Sequence, residues 1–197
     1  ILESTVYPGI TNLFGTFLQK NTGLKQNKDF FICYSPERIN PGDNSKKLNN
    51  IDKIFSTKIN NKEKIIEIKK IYSLVSKKLI FSKSIQESEA AKVIENIQRD
   101  LNIALFNEIL MICDKLKLNF SEVIRLASTK WNFLKFNPGL VGGHCLPVDP
   151  YYLSYVSRKN NLNLKTTLAG RATNNLMKNY VLDKFKKHMK SNHFTNK

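Results

Sequence analysis

The sequence of 197 residues is poor in cysteine, glycine and proline and has no long apolar run. Three cysteines are too few for a disulfide framework, so we expect free thiols and a reducing, cytoplasmic setting. Eight glycines and six prolines beside 41% hydrophobic residues exclude collagen-like, low-complexity and wholly disordered chains. No apolar run approaches the roughly 18 residues that cross a bilayer, so we expect no membrane partner.

Acidic residues are also scarce, because 16 Asp and Glu stand against 32 Lys and Arg and leave a net charge of +16. A basic nucleic-acid-binding module is therefore one alternative. Only five of the basic residues are arginine, the preferred bidentate reader of phosphate and guanine, and the lysines are spread along the chain. We favour a solvated lysine surface and expect no nucleic-acid partner.

Two phosphate-binding motifs are missing as well. Neither G-x-G-x-x-G nor G-x-x-x-x-G-K-[ST] occurs, so a dinucleotide site of either kind cannot be complete in this chain. The chain begins without Met or a signal-peptide pattern, in what looks like a strand over residues 1–6. We expect a fragment whose upstream part is absent.

Strand and helix patterns alternate in the first third of the chain. Strands are predicted at 1–6, 30–34, 53–57 and 78–82, and helices at 9–21, closed by Gly23, and from an Asn60 or Asn61 cap through Tyr72. Strands that alternate with helices of about 12 residues imply βαβ units and a parallel sheet.

The middle of the chain changes character. From Glu87 to about Lys117 there is neither Gly nor Pro, and apolar residues recur at spacings of three and four, which predicts a helix of about 30 residues. Such a helix usually spans two units or packs against a symmetry mate. The pattern then predicts a helix from a Ser121/Glu122 cap through Ala127, a loop at 130–150, further helix, and a frayed end at 191–197.

The loop from Phe136 to Pro150 is the most informative stretch. Gly139, Gly142 and Gly143 put bare backbone where a ligand must come close or where φ must be positive. Backbone N–H groups there could hold an oxyanion or phosphate oxygens. The Cys145 thiolate could attack a carbonyl carbon and form a covalent intermediate, with Asp149 four residues on.

Three alternatives to a nucleophile stay open for Cys145. The first is a structural cysteine after a Gly-Gly turn. A Cys–His protease dyad with His144 is weak, because adjacent side chains tend to diverge. A zinc site is weaker still, since a second ligand pair is missing, and we expect no metal site.

Three further groups of residues lie at predicted strand ends or on the long helix. Lys92 and Asn96 are four residues apart, so they share a helix face and could polarise a carbonyl oxygen or position water. The loop 35–43 follows a strand, where ligands bind in open α/β sheets. There Glu37 could act as a base and Arg38 could hold an anion, and Thr5 lies at a similar strand end. The alternatives are that Lys92 and Asn96 lie on an ordinary helix surface, that residues 35–43 form a rigid surface loop, and that Thr5 belongs to a simple turn.

Together and in this order, these segments resemble the UDP-glucose/GDP-mannose dehydrogenase family, the NAD-dependent nucleotide-sugar 6-dehydrogenases. The stretches that carry the resemblance are Glu3-Ser4-Thr5-Val6-Tyr7-Pro8-Gly9, Tyr34-Ser35-Pro36-Glu37-Arg38, Glu89-Ala90-Ala91-Lys92 with Asn96, and Gly142-Gly143-His144-Cys145 with Asp149. They look most like the branch that oxidises UDP-N-acetylhexosamines to uronic acids for surface polysaccharide precursors. A GDP-mannose dehydrogenase, which differs in base and sugar, stays as an alternative.

The resemblance implies an α/β part followed by an all-α part. Residues 1–85 would be the C-terminal portion of a Rossmann-like NAD domain, and 86–168 a central helical dimerisation domain with the cysteine loop. Residues 169–197 would lead towards a UDP-binding domain that the chain lacks, as it lacks the N-terminal Gly-rich NAD loop. A homodimer and little activity of the fragment alone are implied, and a non-catalytic helical dimerisation fragment is the alternative.

A mechanism also follows from the resemblance. A hydride leaves the sugar C6 alcohol for NAD, Cys145 adds to the aldehyde, a second NAD takes a hydride, and the thioester is hydrolysed. By this resemblance, Lys92 and Asn96 would stabilise the oxyanion, Asp149 and Thr5 would hold the catalytic water, and Glu37 would be the acid/base. The residues that would line the sugar nucleotide are Lys135, Gly139 and Gly142, together with Glu37, Arg38, Lys92 and Asn96. The residues that would contact NAD are Ser4, Thr5 and Cys145. We expect the Cys145 sulfur and the Lys92 ammonium to face one cavity.

Overall fold

The computed structural model describes residues 1–39, 50–59, 61–76 and 78–191. By internal contacts the chain divides into Ile1–Glu95, here called the sheet unit, and Asn96–Lys197, here called the helical unit. The elements in chain order are α1 Ile10–Thr22, β1 Cys33–Tyr34, β2 Lys53–Thr57, α2 Lys62–Ser73, β3 Leu79–Ser82, α3 Ile85–Lys115, α4 Phe120–Ala127, α5 Asp149–Lys159 and α6 Lys165–Ser191. The fold is therefore mixed α/β, with one small sheet and mostly helices.

The sheet has the order β1-β2-β3, and its pairing is mixed. β2 and β3 are parallel, as expected, but β1 pairs antiparallel with β2, with Cys33 opposite Thr57. The prediction of a wholly parallel sheet was wrong for β1. A parallel pair needs a crossover that is usually a helix, whereas the sequence between β1 and β2 has Pro36, Pro41 and Gly42 and lacks a helical period.

The strand predicted over residues 1–6 is reduced to one parallel bridge between Leu2 and Tyr34. The Leu2 N–H donates to the Cys33 carbonyl at 2.9 Å, and the Ser35 N–H donates to the Leu2 carbonyl at 3.0 Å. The next bond runs from Glu37 to the carbonyl of Glu3, so the alternate-residue register of a parallel ladder is lost after one bridge. The strand predicted at 30–34 is likewise shortened, to Cys33–Tyr34.

A buried carboxylate from α3 caps the start of α1. Gly9 precedes the helix with φ +105° and has no side chain with which to cap it. The Glu89 Oε2 accepts from the Gly9 N–H at 2.5 Å, and its Oε1 accepts from the Thr11 N–H at 2.8 Å and the Thr11 hydroxyl at 2.6 Å. Glu89 is fully buried, so its charge is compensated by these bonds and by the helix dipole. At the other end α1 closes at Gly23, as predicted.

One of the two buried apolar clusters in the described part of the sheet unit lies between β2 and α2. Phe55 is fully buried, and its ring centroid is 5.6 Å from that of Tyr72 on α2. Asn61 is the cap of α2, because its side-chain oxygen accepts the N–H groups of Glu63 and Lys64. The other predicted cap, Asn60, lies outside the described residues.

The long helix is confirmed as α3, with 31 residues. α4 begins at Phe120, so the cap position falls on Asn119, two residues before the predicted Ser121, and the Asn119 side chain accepts the Glu122 N–H at 3.3 Å; the Ser121 cap was wrong. Gly170 allows α6 to approach α3, because a Cβ there would overlap Leu101. The predicted loop at 130–150 matches the stretch between α4 and α5, and residues 192–197 lie outside the described part.

We expect Glu89→Gln to lower the free energy of unfolding by about 1–3 kcal/mol, because the amide loses one acceptor and turns a donor towards a backbone N–H. Urea denaturation followed by circular dichroism measures this. Glu87→Gln is the matched control, since Glu87 is exposed on the same helix, and it should stay within about 0.5 kcal/mol of the parent. Equal stability of both variants would show that Glu89 does not hold α1.

Candidate active site

The helical unit brings together three of the predicted site residues around the start of α5. Asn96 and Asp149 are both buried, and the Asn96 Nδ2 donates to the Asp149 Oδ2 at 2.5 Å. The N–H groups of Val148 and Asp149 donate to the Cys145 carbonyl at 3.0 and 2.9 Å. The backbone of Cys145 is therefore tied to the first turn of α5, whose Asp149 is fixed by α3.

The three cysteines are free thiols, and they differ in exposure. Cys33 and Cys113 are buried, whereas Cys145 is exposed. Burial raises the pKa of the Cys33 thiol, which keeps it protonated and unreactive at neutral pH. Among the described residues, groups of three metal ligands close enough to hold an ion are missing. Cys145 is thus the one cysteine that a substrate can reach.

Aromatic side chains anchor the loop that carries the glycines. Phe106 of α3 is almost fully buried, and its ring centroid lies 6.1 Å from that of Phe133 and 6.2 Å from that of Phe136. Beyond this anchor, the Gly139 N–H donates to the Asn107 Oδ1 at 2.8 Å, and the Asn107 Nδ2 donates to the Gly139 carbonyl at 3.0 Å. The sequence reasoning had not singled out Asn107.

The glycines themselves face open space. Gly143 adopts φ +84°, which disfavours any residue with a Cβ. At Gly139 and Gly142 φ is ordinary, and a Cβ would meet nothing within 4 Å. Packing within the described chain therefore does not demand glycine at these two positions, which leaves room beside the backbone for a ligand. Lys135, earlier in the loop, is exposed.

In the sheet unit, Glu37 lies in an electrostatic cluster with Lys53. The Glu37 Oε1 accepts the N–H groups of Arg38 and Ile39 at 2.7 and 2.8 Å, and its Oε2 is 3.7 Å from the Lys53 Nζ. Lys53 is only 6% exposed and forms an ion pair with Glu3 at 3.0 Å. The sequence reasoning treated Lys53 only as the first residue of a strand.

Glu3 links this cluster to Tyr72 of α2. The Tyr72 hydroxyl donates to the Glu3 Oε1 at 2.9 Å. Burial acts to raise the pKa of Glu3, but the hydrogen bonds from Lys53 and Tyr72 outweigh it and lower that pKa below its ordinary value. Burial and the neighbouring carboxylate raise the pKa of Tyr72 well above its usual range. The cluster therefore holds a carboxylate, an ammonium and a neutral phenol together beside Glu37.

Arg38 is already bonded within the sheet unit. Its Nη1 donates to the Asp52 carbonyl at 3.0 Å, and its Nη2 lies 2.7 Å from the Glu95 Oε1. An anionic ligand would share this guanidinium with Glu95. Ser4 is exposed and Thr5 is partly buried. Residues 40–43 of the same predicted loop lie outside the described residues.

The predicted site residues are divided between the two units. Ser4, Thr5, Glu37, Arg38 and the half-buried Lys92 belong to the sheet unit, and Asn96, Lys135, Gly139, Gly142, Cys145 and Asp149 to the helical unit. Lys92 and Asn96 both lie on α3, where the predicted spacing of one helical turn holds. A common cavity for Lys92 and Cys145 stays a prediction.

Residues 86–176 match the central domain of the UDP-glucose/GDP-mannose dehydrogenase family. The UDP-N-acetyl-D-glucosamine 6-dehydrogenase of Salmonella typhi is 47% identical over 191 residues, which are 96% of this chain and 44% of that protein. Protein CapL of Staphylococcus aureus is 47% identical over 184 residues, 92% of this chain and 43% of that protein.

A solved structure gives the same result for the fold. The structure of the UDP-D-ManNAc dehydrogenase of Pyrococcus horikoshii superposes with a TM-score of 0.84 at 30% identity, covering 97% of this chain and 45% of that chain. The chain thus spans less than half the length of the relatives it matches. The sequence and the fold of this chain agree with those of these relatives over nearly its whole length. The chain belongs to the UDP-glucose/GDP-mannose dehydrogenase family.

Proposed function

We propose that the whole protein of which this chain forms part oxidises the C6 alcohol of a UDP-N-acetylhexosamine to the uronic acid with NAD, for surface polysaccharide precursors. The observation that carries the proposal is the exposed Cys145, whose backbone is tied to the buried Asn96–Asp149 pair. Two relatives of the chain are named as dehydrogenases of this substrate class. In this proposal residues 1–85 belong to the NAD domain, 86–168 to a central dimerisation domain and 169–197 to the helix that follows.

NAD would accept one hydride in each of the two oxidations. The hydroxyl side chains of Ser4, which is exposed, and Thr5 would contact this polar cofactor, and Cys145 would lie near its reacting end. The Gly-rich motif that binds the pyrophosphate in Rossmann domains does not occur in these 197 residues, so Ser4 and Thr5 would form only part of such a site.

The chemistry of the sulfur follows from the position of Cys145. A thiolate there would add to the C6 aldehyde with uptake of a proton to give a thiohemiacetal, transfer of a hydride to NAD with loss of the hydroxyl proton would give the thioester, and hydrolysis would release the carboxylic acid and the thiol. The positive end of the α5 dipole, which begins four residues after Cys145, favours an anion nearby. The Lys92 ammonium would stabilise the oxyanion together with Asn96.

Water and protons fall to the carboxylates in this mechanism. Asp149, whose Oδ2 is fixed by the Asn96 amide, would orient the attacking water with Thr5. Glu37 would exchange the proton in hydrolysis, with the Lys53 Nζ 3.7 Å from its Oε2. Lys135, Gly139 and Gly142 would line the sugar nucleotide, with Arg38 at its edge.

The structure weakens the nucleic-acid alternative. Three of the five arginines, Arg38, Arg125 and Arg171, form ion pairs with carboxylates of the chain. Arginines neutralised in this way contribute little to phosphate binding.

None of the described helices is both long and apolar enough to cross a membrane.

We further propose a homodimer through the helical unit. Leu105 and Ile112 are seven residues apart, so they share one face of α3, and Leu116 follows directly after the helix; each is at least half exposed. Trp131, after α4, is 92% exposed. We take these exposed apolar side chains as part of the proposed association surface.

We expect Cys145→Ser in the full-length protein to reduce uronate formation roughly a thousandfold or more, because the hydroxyl is a far weaker nucleophile than the thiolate. Product is measured by mass spectrometry with a UDP-N-acetylhexosamine and NAD. His144→Gln is the control, and it should keep uronate formation within about tenfold of the parent. Undiminished uronate production by Cys145→Ser would remove the proposed mechanism.

Iodoacetamide separates the enzyme from a non-catalytic dimerisation fragment. At neutral pH the enzyme's Cys145 should react faster than a model thiol, and a bound UDP-N-acetylhexosamine should slow the reaction. Labelling at the rate of a model thiol, unaffected by the sugar nucleotide, would favour the non-catalytic alternative.

We expect Ile112→Asp to weaken dimerisation roughly tenfold or more, because it places a charge in a buried apolar contact. Analytical ultracentrifugation over a range of protein concentrations measures the dissociation constant. Ile66→Asp is the matched control, since Ile66 on α2 is exposed to the same degree but lies in the sheet unit. A dissociation constant shared by Ile112→Asp and the parent would place the dimer contact elsewhere.

A further inference from the structure

Asn107 of α3 is fully buried in the helical unit and binds both backbone groups of Gly139. Its Oδ1 accepts the Gly139 N–H at 2.8 Å, and its Nδ2 donates to the Gly139 carbonyl at 3.0 Å. One side chain thus makes the pair of bonds that a neighbouring strand would make. The loop between α4 and α5 has a fixed point on α3 here, six residues before Cys145.

Asn107 belongs to a buried hydrogen-bond network that continues to Asn174, Asp100 and Arg171. Its second amide proton goes to the Asn174 Oδ1 at 2.9 Å. The Asn174 Nδ2 donates to the Asp100 carbonyl at 2.9 Å and to the Asp100 Oδ1 at 2.8 Å. The Arg171 Nη1 donates to the same Oδ1 at 2.6 Å. None of the four side chains is more than 5% exposed.

The Asp100 carboxylate determines which way each amide faces. Asp100 offers only acceptors to Asn174, so Asn174 must present its NH₂ there and its oxygen to Asn107. Asn107 must then present its NH₂ to Asn174 and its oxygen to the Gly139 N–H. Reversal of either amide would bring two donors or two acceptors into contact in a buried site, which is costly. Arg171 compensates the buried charge of Asp100.

Gly139 is held on one side and open on the other. Its peptide groups point to Asn107, while a Cβ at this position would meet nothing within 4 Å. The fixed backbone therefore presents its free side to any ligand that lies along the loop.

We propose that Asn107 is a positioning residue for the loop that contacts the sugar nucleotide, and that Asp100, acting through Asn174, sets the orientation of its amide. The proposal rests on the proposed function, because the contact of Gly139 with the sugar nucleotide belongs to it. Asn107 acts through the backbone of Gly139 and need not touch the substrate. Loss of this support leaves the loop with several conformations, of which one binds.

The test is steady-state kinetics of the full-length protein with a UDP-N-acetylhexosamine and NAD. Asn107→Ala should raise KM for the sugar nucleotide roughly tenfold and leave KM for NAD within about twofold. Asn102→Ala is the matched control, because the Asn102 amide donates to the Gln98 carbonyl of its own helix, α3. It should change neither constant.

A second variant separates positioning from stability. Met177→Ala removes a buried side chain of α6, one turn beyond Asn174, and should lower Tm without any bond of the network being lost. The sugar-nucleotide KM should stay at the parent value in Met177→Ala. A rise equal to that of Asn107→Ala would assign the whole effect to stability and overturn the proposal.

Hydrogen exchange of the unmodified protein decides the case if Asn107→Ala does not fold. The Gly139 N–H should exchange at least roughly a hundredfold more slowly than that of the exposed Gly142. Equal rates would overturn the proposal. A parent protein that oxidises no UDP-N-acetylhexosamine would end the proposed function, and the positioning role with it, whereas an active parent with an unchanged KM in Asn107→Ala would end only this inference.

Discussion

Buried polar side chains of α3 bond to segments packed beside the helix, and the need of these side chains for partners ties those segments to it. A buried donor or acceptor left without a partner costs about 1–3 kcal/mol, a large share of the stability of a domain. Glu89 is satisfied by the backbone that begins α1, Asn96 by the Asp149 carboxylate, and Asn107 by the backbone of Gly139. In each case the partner lies in or next to a segment to which the family resemblance gives a function.

The helices followed from the sequence because their pattern is local. An apolar residue every three or four positions, without Gly or Pro, is enough to predict α3 to within two residues at each end. β2 was also predicted over its full length, because Lys53–Thr57 includes the β-branched Ile54 and Thr57 and the aromatic Phe55, which favour a strand. Gly23 and Asn61 were recognised because caps use the chemistry of a single residue.

The rest depended on partners far away in the sequence. The direction of β1 and the single bridge of Leu2 are set by pairing, which the residue pattern of one strand does not contain. The burial of Lys53, Glu89 and Asn107 was not predicted, because charged and amide residues are usually exposed and only the tertiary contacts show that these three are buried. One sequence signal was present: Asn96, Asp100 and Asn107 are spaced by four and seven residues, the interval of one helix face.

A polar face within the core of the helical unit is not the most stable choice, because apolar residues of the same volume often pack as well or better. Apolar residues, however, cannot fix the direction in which a neighbouring backbone points its N–H and carbonyl groups. A leucine at position 107 would fill the space but leave the N–H and the carbonyl of Gly139 without partners, so the loop would turn them to water and change its course. An amide oriented by a buried carboxylate accepts on one side and donates on the other, and this polarity fixes one loop conformation out of several. The loop that leads to Cys145 is therefore shaped by the order of donors and acceptors behind it as well as by the side chains that face the ligand.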